Sequence, residues 1–526
     1  MIMVNLRLCT ASKACLRITA LRRIAAFFLS TMVTQFGWAE QVSNQFSYSS
    51  SVSEDGNGPL DLFAELNYDS ARDDAPIAVV MHGYSPTTGN FSNVRANAQR
   101  LRNAGFFAIS VAMRGRDGSD GVRDSGGVEI YDIYDAVEAV KSAYPDLVDE
   151  TNIHITGYSG GGGNTMSALT KFPDYFRLGS SYFGISDYGF DQSSGWYFNG
   201  AASNHQSRLR ADIGNPTLDS PIVEDRYHAR ASNLASKNNP YSEIHLFVNS
   251  NEPTCPPVNV TSYRDNAVSA AVTEGEFDNI HLHIPSTSGT YEDFNGNGVN
   301  DSGEMQWWPH GFPDADEQHA AESWYLDRLL AGSIPEPVLN TEDELFVAGF
   351  VKTKKFELWL GDGANAAGQM QYSLSPTEKS FSLQILSNNR GIETQFSVDT
   401  SDMQGQEVDV LLNGMHVESL SISDEYQSTS LRHNDTLLLR LAKEGDYDRD
   451  GTVGLKDYEY WRSTFGSTVD LLADGNKDGI VDLVDYTIWR NNFGTSGVAV
   501  PTTNVPEPAA LLLAATAVFT HVFVCR

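Results

Sequence analysis

Between Ala75 and about Leu330 the chain alternates two kinds of segment, and that alternation restricts its fold more than any other feature. "PIAVVMHG", "FFAISVAMRG", "NIHITGYS", "GSSYFGIS" and "IHLFVNS" are short, continuously apolar runs. Among them lie "SNVRANAQRLRNAG", with its stop at Gly105, "GVEIYDIYDAVEAVKSAYP", which ends before a proline, "GGGNTMSALTKF", and a closing "DADEQHAAESWYLDRLL". These read as helices. A strand that is apolar on both sides has no face to give to water. The pattern therefore predicts an α/β fold with a mostly parallel sheet covered by helices on both faces.

One strand-to-helix junction carries chemistry. In "NIHITGYSGGGGNTMSALT" (152–170) the strand ends in Gly157-Tyr158-Ser159-Gly160-Gly161 and a helix follows at once. A sharp turn there lifts a serine hydroxyl above the sheet, and the flanking glycines allow the close backbone approach it needs. Ser159 is the candidate nucleophile. The Gly160 N–H, at the helix N-terminus, is one candidate oxyanion donor, and the Tyr84 N–H, after the strand in "VVMHGYSP", is the other. His82 reads as a structural loop residue. An acid and a histidine should follow in that order. Glu252, just past "IHLFVNS", is the preferred acid over Asp187 in "GISDYG". His310, in the Gly/Pro loop "WWPHGF", is the preferred base, because His245, His281 and His283 sit in strand-like runs and His319 inside a helix. In this scheme His310 deprotonates Ser159 and Glu252 orients the imidazole.

With those residues in place, 75–332 resembles the catalytic domain of prolyl oligopeptidase-like serine peptidases and their esterase relatives. "GGVEIYDIYDAVEAVK", the Ser159 block and "PHGF" carry the likeness. The resemblance implies a doubly wound α/β-hydrolase sheet and catalytic roles for Ser159, Glu252 and His310. The chain departs from the family in three ways: Glu stands where Asp is usual, "GGGG" follows the serine, and only about thirty-five residues separate Ala39 from the first expected sheet strand. That interval has no room for the β-propeller that restricts such peptidases to short peptides, which leaves a polysaccharide ester as an alternative to a peptide substrate. A second hypothesis is a non-catalytic, calcium-dependent surface or scaffold protein with an inert hydrolase fold.

After "GSIPEPVL" the apolar period becomes two, in "KFELWLG", "KSFSLQILS", "TQFSVDT", "EVDVLLNG" and "TLLLRLA". That predicts a small antiparallel β-sandwich over 335–442. A duplication follows: "DYDRDGTVGLKDYEYWRSTFG" and "DGNKDGIVDLVDYTIWRNNFG" begin at 446 and 474. Each places oxygens as a calcium loop requires, with glycine at position 6. The first uses Asp446, Asp448, Asp450, the Thr452 carbonyl and Asp457, with water at the position of Gly454. The second uses Asp474, Asn476, Asp478, the Ile480 carbonyl, Asp482 and Asp485. Tyr458, Trp461 and Phe465, and Tyr486, Trp489 and Phe493, form an aromatic face on each following helix. The pair resembles a type I dockerin over 443–496, which implies structural Ca2+ and a cohesin-like partner. A third loop, "DFNGNGVNDSGE", offers Asp293, Asn295, Asn297, the Val299 carbonyl, Asp301 and Glu304 as a structural calcium site just before His310.

The ends read as processing signals. Arg17, Arg22 and Arg23 precede "IAAFFLSTMV" and a small-residue site at Ala39, so 1–39 is an expected signal peptide and 40–334 the hydrolase domain. Residues 497–526, with "VPEP", an apolar run and Arg526, resemble a PEP-CTERM sorting tail, which implies an exosortase-type processing enzyme. Secretion or cell-surface sorting is the expected localisation. With 36 basic against 68 acidic residues, a net charge of -32, the chain lacks the cationic excess that binding a phosphate backbone requires. Of four cysteines, Cys9 and Cys15 fall in the leader and Cys525 in the tail, so Cys255 is alone in the folded body and no intramolecular disulfide is expected.

Overall fold

The computed structural model describes residues 41–52, 58–84, 91–248, 252–283, 310, 323, 326–388, 393–421 and 425–494. Eight strands form the large sheet: β1 (Gln41–Ser49), β2 (Asp61–Asp69), β3 (Ala75–Met81), β4 (Phe107–Ala112), β5 (Val148–Tyr158), β6 (Leu178–Tyr182), β7 (Glu243–Phe247) and β8 (Ile280–His283). Their order is β1-β2-β4-β3-β5-β6-β7-β8. β1–β2 and β2–β4 pair antiparallel, and every other pairing is parallel.

The apolar runs explain the parallel part. All seven residues of β3 are buried. Ile77, Val79 and Met81 face one core, with Ile109, Val111 and Ile155, while Ala78 and Val80 face the other, with Leu101, Ala108 and Leu178. The helix Arg95–Ala104 stops where the sequence signals it, at Gly105 in the left-handed region with φ 112°. The first sheet strand, however, is not at Ala75. Residues 41–49 and 61–69 form β1 and β2 of the same sheet: β1 is its largely polar edge strand, and β2 lies between β1 and β4. Most of the closing helix lies outside the described residues.

The second domain is a β-sandwich. Its strands are β9 (Glu342–Ala348), β10 (Phe350–Lys352), β11 (Phe356–Leu360), β12 (Ala367–Ser375), β13 (Ser380–Asn388), β14 (Thr394–Asp399), β15 (Glu407–Leu412), β16 (Met415–Ser421), β17 (Glu425–Leu431) and β18 (Thr436–Leu441). They make a sheet β10-β11-β14-β17 and a sheet β16-β15-β18-β13-β12-β9, with antiparallel pairing throughout. The inner residues Leu358, Phe381, Leu383, Phe396 and Leu439 share one core.

The sandwich packs on the hydrolase. The Asn238 side chain donates to the Phe346 carbonyl at 2.7 Å and accepts the Phe346 N–H at 2.8 Å, so it continues the exposed edge of β9. Lys171, the last residue of the helix Gly160–Lys171, donates to the Ala229 and Ala348 carbonyls and lies 4.5 Å over the Phe350 ring. Burial, helped by the nearby Arg230, pulls its ammonium from the ordinary 10.5 down to about 7. Between those values the unfolded chain binds the extra proton, so this residue makes stability rise with pH, by ~1 kcal/mol per unit, from about pH 7 to about pH 10. Thermal melts of wild type and Lys171→Met across pH 7 to 9.5 should show the wild type gaining on the variant. Parallel pH slopes for the two would contradict this account.

Candidate active site

Ser159 caps β5 with φ 53° and ψ -120°, a backbone conformation rare for a residue with a Cβ. The strained turn is held at both ends. The Ser159 N–H donates to the Tyr182 carbonyl at 2.8 Å, and its own carbonyl accepts the Gly163 N–H at 3.0 Å. Two glycines make room for it. A Cβ on Gly161 would fall 2.4 Å from the Met81 carbonyl oxygen, and one on Gly160 would fall 2.5 Å from both the Tyr84 nitrogen and the Tyr84 Cβ. The end of β3 therefore lies against the start of the helix, with the Tyr84 amide beside Gly160. A Cβ on Gly83 would stand 3.7 Å from the Ser159 Cβ. The two oxyanion-donor candidates and the serine share one corner. Gly160→Ala should push the Tyr84 amide away and lower kcat by about 10²-fold or more, with less effect on KM, as steady-state kinetics would read it. An unchanged kcat would remove these amides from the chemistry.

Glu252 lies just past β7 and is buried. Its Oε1 accepts the Thr254 N–H at 2.7 Å and the Cys255 N–H at 3.0 Å, and lies 3.0 Å from His310 Nδ1. Two backbone amides thus fix the carboxylate that meets the imidazole. Among the described residues its buried Oε2 has no hydrogen-bond partner, and the polar contacts go to Oε1. The His310 ring, a third exposed, lies 5.7 Å from the Phe183 ring. Phe183 follows the residue whose carbonyl receives the Ser159 N–H, and its φ of 52° marks a second strained strand end.

Asp187 goes elsewhere. It accepts from the Gly189, Phe190 and Asp191 amides and from the Ser194 hydroxyl, all in its own loop. His82 is buried, with Nδ1 2.9 Å from the Gly83 carbonyl, and desolvation pulls its pKa down to about 4. It stays neutral and fits the structural part that the sequence suggested.

Three neighbours were not legible beforehand. Cys255 Sγ lies 3.8 Å from Ser159 Oγ, and burial raises its thiol pKa, so the sulfur stays protonated beside the serine. Trp196 and His205 come from the excursion after β6. The Tyr84 ring lies 5.3 Å from the Trp196 ring and 5.7 Å from His205, and the Trp196 and His205 rings are 5.3 Å apart. Together they form an aromatic wall beside the Gly160 corner. Burial pushes the Tyr84 phenol up to about 12, so it stays protonated, 3.3 Å from the Ser125 hydroxyl.

The duplicated acidic loops are folded alike. Asp446 accepts the Asp450 and Gly451 amides, and Asp474 accepts those of Asp478 and Gly479. Asp457 accepts from Tyr447, Asp448 and Gly454, and Asp485 from Gly475, Asn476 and Asp482. Carboxylate oxygens of Asp446, Asp448 and Asp450 come within 4.8 Å of one another. Behind the loops, the helices Leu455–Thr464 and Leu483–Asn492 bury Trp461 and Trp489 in a shared core. The third acidic loop, Asp293 to Glu304, lies outside the described residues, as do 1–40 and 495–526. Among the described residues, no helix is long and apolar enough to cross a membrane.

An eight-stranded sheet in this order, with a serine on the strained turn after its fifth strand, is an α/β-hydrolase-like fold. Residues 92–210 match the prolyl oligopeptidase family, which supports a serine hydrolase. No curated protein matches the sequence. Among solved structures, the chain is similar to the Pyrococcus horikoshii acylaminoacyl peptidase, with 19% identity and a TM-score of 0.36 over 48% of this chain and 38% of that one. It is similar to a Mycobacterium tuberculosis puromycin-hydrolyzing peptidase, with 20% identity and a TM-score of 0.37 over 46% of this chain and 35% of that one. A Pyrococcus furiosus esterase matches with 12% identity and a TM-score of 0.33 over 47% of this chain and 82% of that one. The matched part spans well under half the length of either peptidase.

Proposed function

We propose that this chain is an exported serine hydrolase that cleaves peptide or ester bonds through an acyl-enzyme. The contact that supports this best is Glu252 Oε1 at 3.0 Å from His310 Nδ1, in a fold that sets Ser159 on a strained turn. His310 takes the hydroxyl proton as Ser159 attacks the carbonyl, and returns it to the leaving group. Glu252 stabilises the imidazolium formed in between. The Gly160 and Tyr84 amides receive the oxyanion. The family match over 92–210 favours a peptide substrate.

One observation favours an ester instead. Residues 41–49 and 61–69, ahead of the parallel strands, pair into the hydrolase sheet as β1 and β2. Among the described residues Ser159 is partly exposed, which suits an acyl group carried on a polysaccharide. Fluorophosphonate labelling of the full chain, followed by assays on p-nitrophenyl acetate, acetylated xylan and proline-containing peptides, separates the readings. Labelling with turnover of peptides alone supports a peptidase, and turnover of acetylated xylan supports the esterase. The absence of labelling in the wild type leaves the non-catalytic scaffold.

We also propose that the 443–494 module folds around calcium. The donors at Asp446, Asp448 and Asp450 are hard oxygens crowded together, as Ca2+ prefers. A cohesin-like partner fits Leu455 and Leu483, which hold equivalent places in the two repeats and are both exposed. A leader at 1–39 and an exosortase-processed tail at 497–526 complete the reading of a secreted or surface-sorted enzyme.

A further inference from the structure

The outer edge of the large sheet carries a histidine cluster that the proposed hydrolysis does not use. In the parallel pair β7–β8, His245 stands opposite His281 and Phe247 opposite His283. The two-residue period of a strand puts Glu243 and His245 on the face of β7 that matches His281 and His283 on β8. The His245 and His281 rings stack with centroids 4.7 Å apart. His245 Nε2 lies 2.9 Å from Glu243 Oε1, and its Nδ1 lies 3.0 Å from His283 Nε2. One donor atom from each of Glu243, His245 and His281 falls within 4.8 Å of the other two.

We propose that Glu243, His245 and His281 bind a divalent cation of the zinc class. Two imidazoles and one carboxylate are the donor set that zinc takes, whereas calcium prefers oxygen alone. The surroundings suit the ligands. If His245 ligates through Nε2, its proton resides on Nδ1 and is donated to His283, a contact that fixes both tautomer and ring orientation. Arg328 donates to both carboxylate oxygens of Glu243, at 2.9 Å each. The cation takes over Oε1 and leaves Oε2 to Arg328. His281 is half-exposed, whereas His245 is buried. The partly exposed His281 and Glu243 are the side from which the ion and a water as fourth ligand approach.

The test uses the untagged full chain, saturated with Ca2+ so that the acidic loops are filled, and titrated with Co2+ as a visible probe. The expected result is one Co2+ per chain with the strong d–d bands of a four- or five-coordinate nitrogen–oxygen site. Zn2+ should displace it and raise the Tm. His281→Ala should weaken Co2+ binding by more than about tenfold and abolish the Zn2+-dependent Tm shift, with hydrolysis unchanged. A second measurement needs no variant: Zn2+ should protect His281 from diethyl pyrocarbonate, read by mass spectrometry. Only weak octahedral bands at millimolar Co2+, bands of equal affinity in His281→Ala, or equal modification of His281 with and without Zn2+ would each overturn the proposal.

Discussion

Replacing Ser159 by alanine is expected to abolish fluorophosphonate labelling and to lower kcat/KM for p-nitrophenyl acetate by about 10⁴-fold or more. The hydroxyl is the only group in the proposed scheme that forms a bond to the acyl carbon, so nothing nearby substitutes for it. The Cys255 thiol, 3.8 Å from Ser159 Oγ, is kept protonated by its burial and is a poor nucleophile. Glu252→Gln is the matching test of the acid. The amide oxygen can still accept the Thr254 and Cys255 N–H groups, so the loop should hold its shape. It cannot stabilise an imidazolium, and kcat should fall by about 10²- to 10⁴-fold with KM little changed. Asp187→Asn provides the contrast. Asp187 ties down its own loop, so its loss should show in thermal melts and leave kcat near the wild-type value. If Asp187→Asn cost more in kcat than Glu252→Gln, the assignment of the acid would be wrong.

Chelating calcium should unfold residues 443–494. The module has a small core of Tyr447, Val453, Tyr458, Trp461, Ala473, Val481, Tyr486 and Trp489, with acidic loops on top of it. Without metal, burial and the neighbouring Asp448 and Asp446 carboxylates push the Asp457 carboxyl up to about 6. The native module then binds a proton that the unfolded chain has already released. Metal-free stability should therefore fall as pH rises from about 4 to about 6, and stay low above that. Calcium reverses the loss by balancing the charge, and contributes about 4 kcal/mol per site at a thousandfold excess over Kd. Tryptophan fluorescence is the readout, because Trp461 and Trp489 become exposed on unfolding. Identical spectra and melts with EGTA and with calcium would remove the metal from the account.

The parts of this protein that follow from local pattern were legible without coordinates. Strand β3 is apolar on both faces and β4 nearly so, and only a covered sheet can accommodate such runs. The sandwich strands β11, β13, β14, β15 and β18 alternate with a period of two. The acidic loops repeat their oxygens at fixed offsets. Strands β1 and β2 were missed because strands that mix polar and apolar residues resemble a polar lead-in until something pairs with them. Strands β9, β10, β12, β16 and β17 were missed for the same weakness of pattern.

Sequence alone determined the serine's turn, the order of serine, acid and histidine along the chain, and the spacing of the repeated acidic loops, because each depends on residues close together or on a fixed order. Only the tertiary structure decided which acid meets His310, that Cys255 and His205 stand beside the site, and that His245 stacks on His281. Those contacts join residues tens to more than a hundred positions apart. They depend on strand register and loop path, and both are set by the packing of the whole sheet, which no short stretch of sequence encodes.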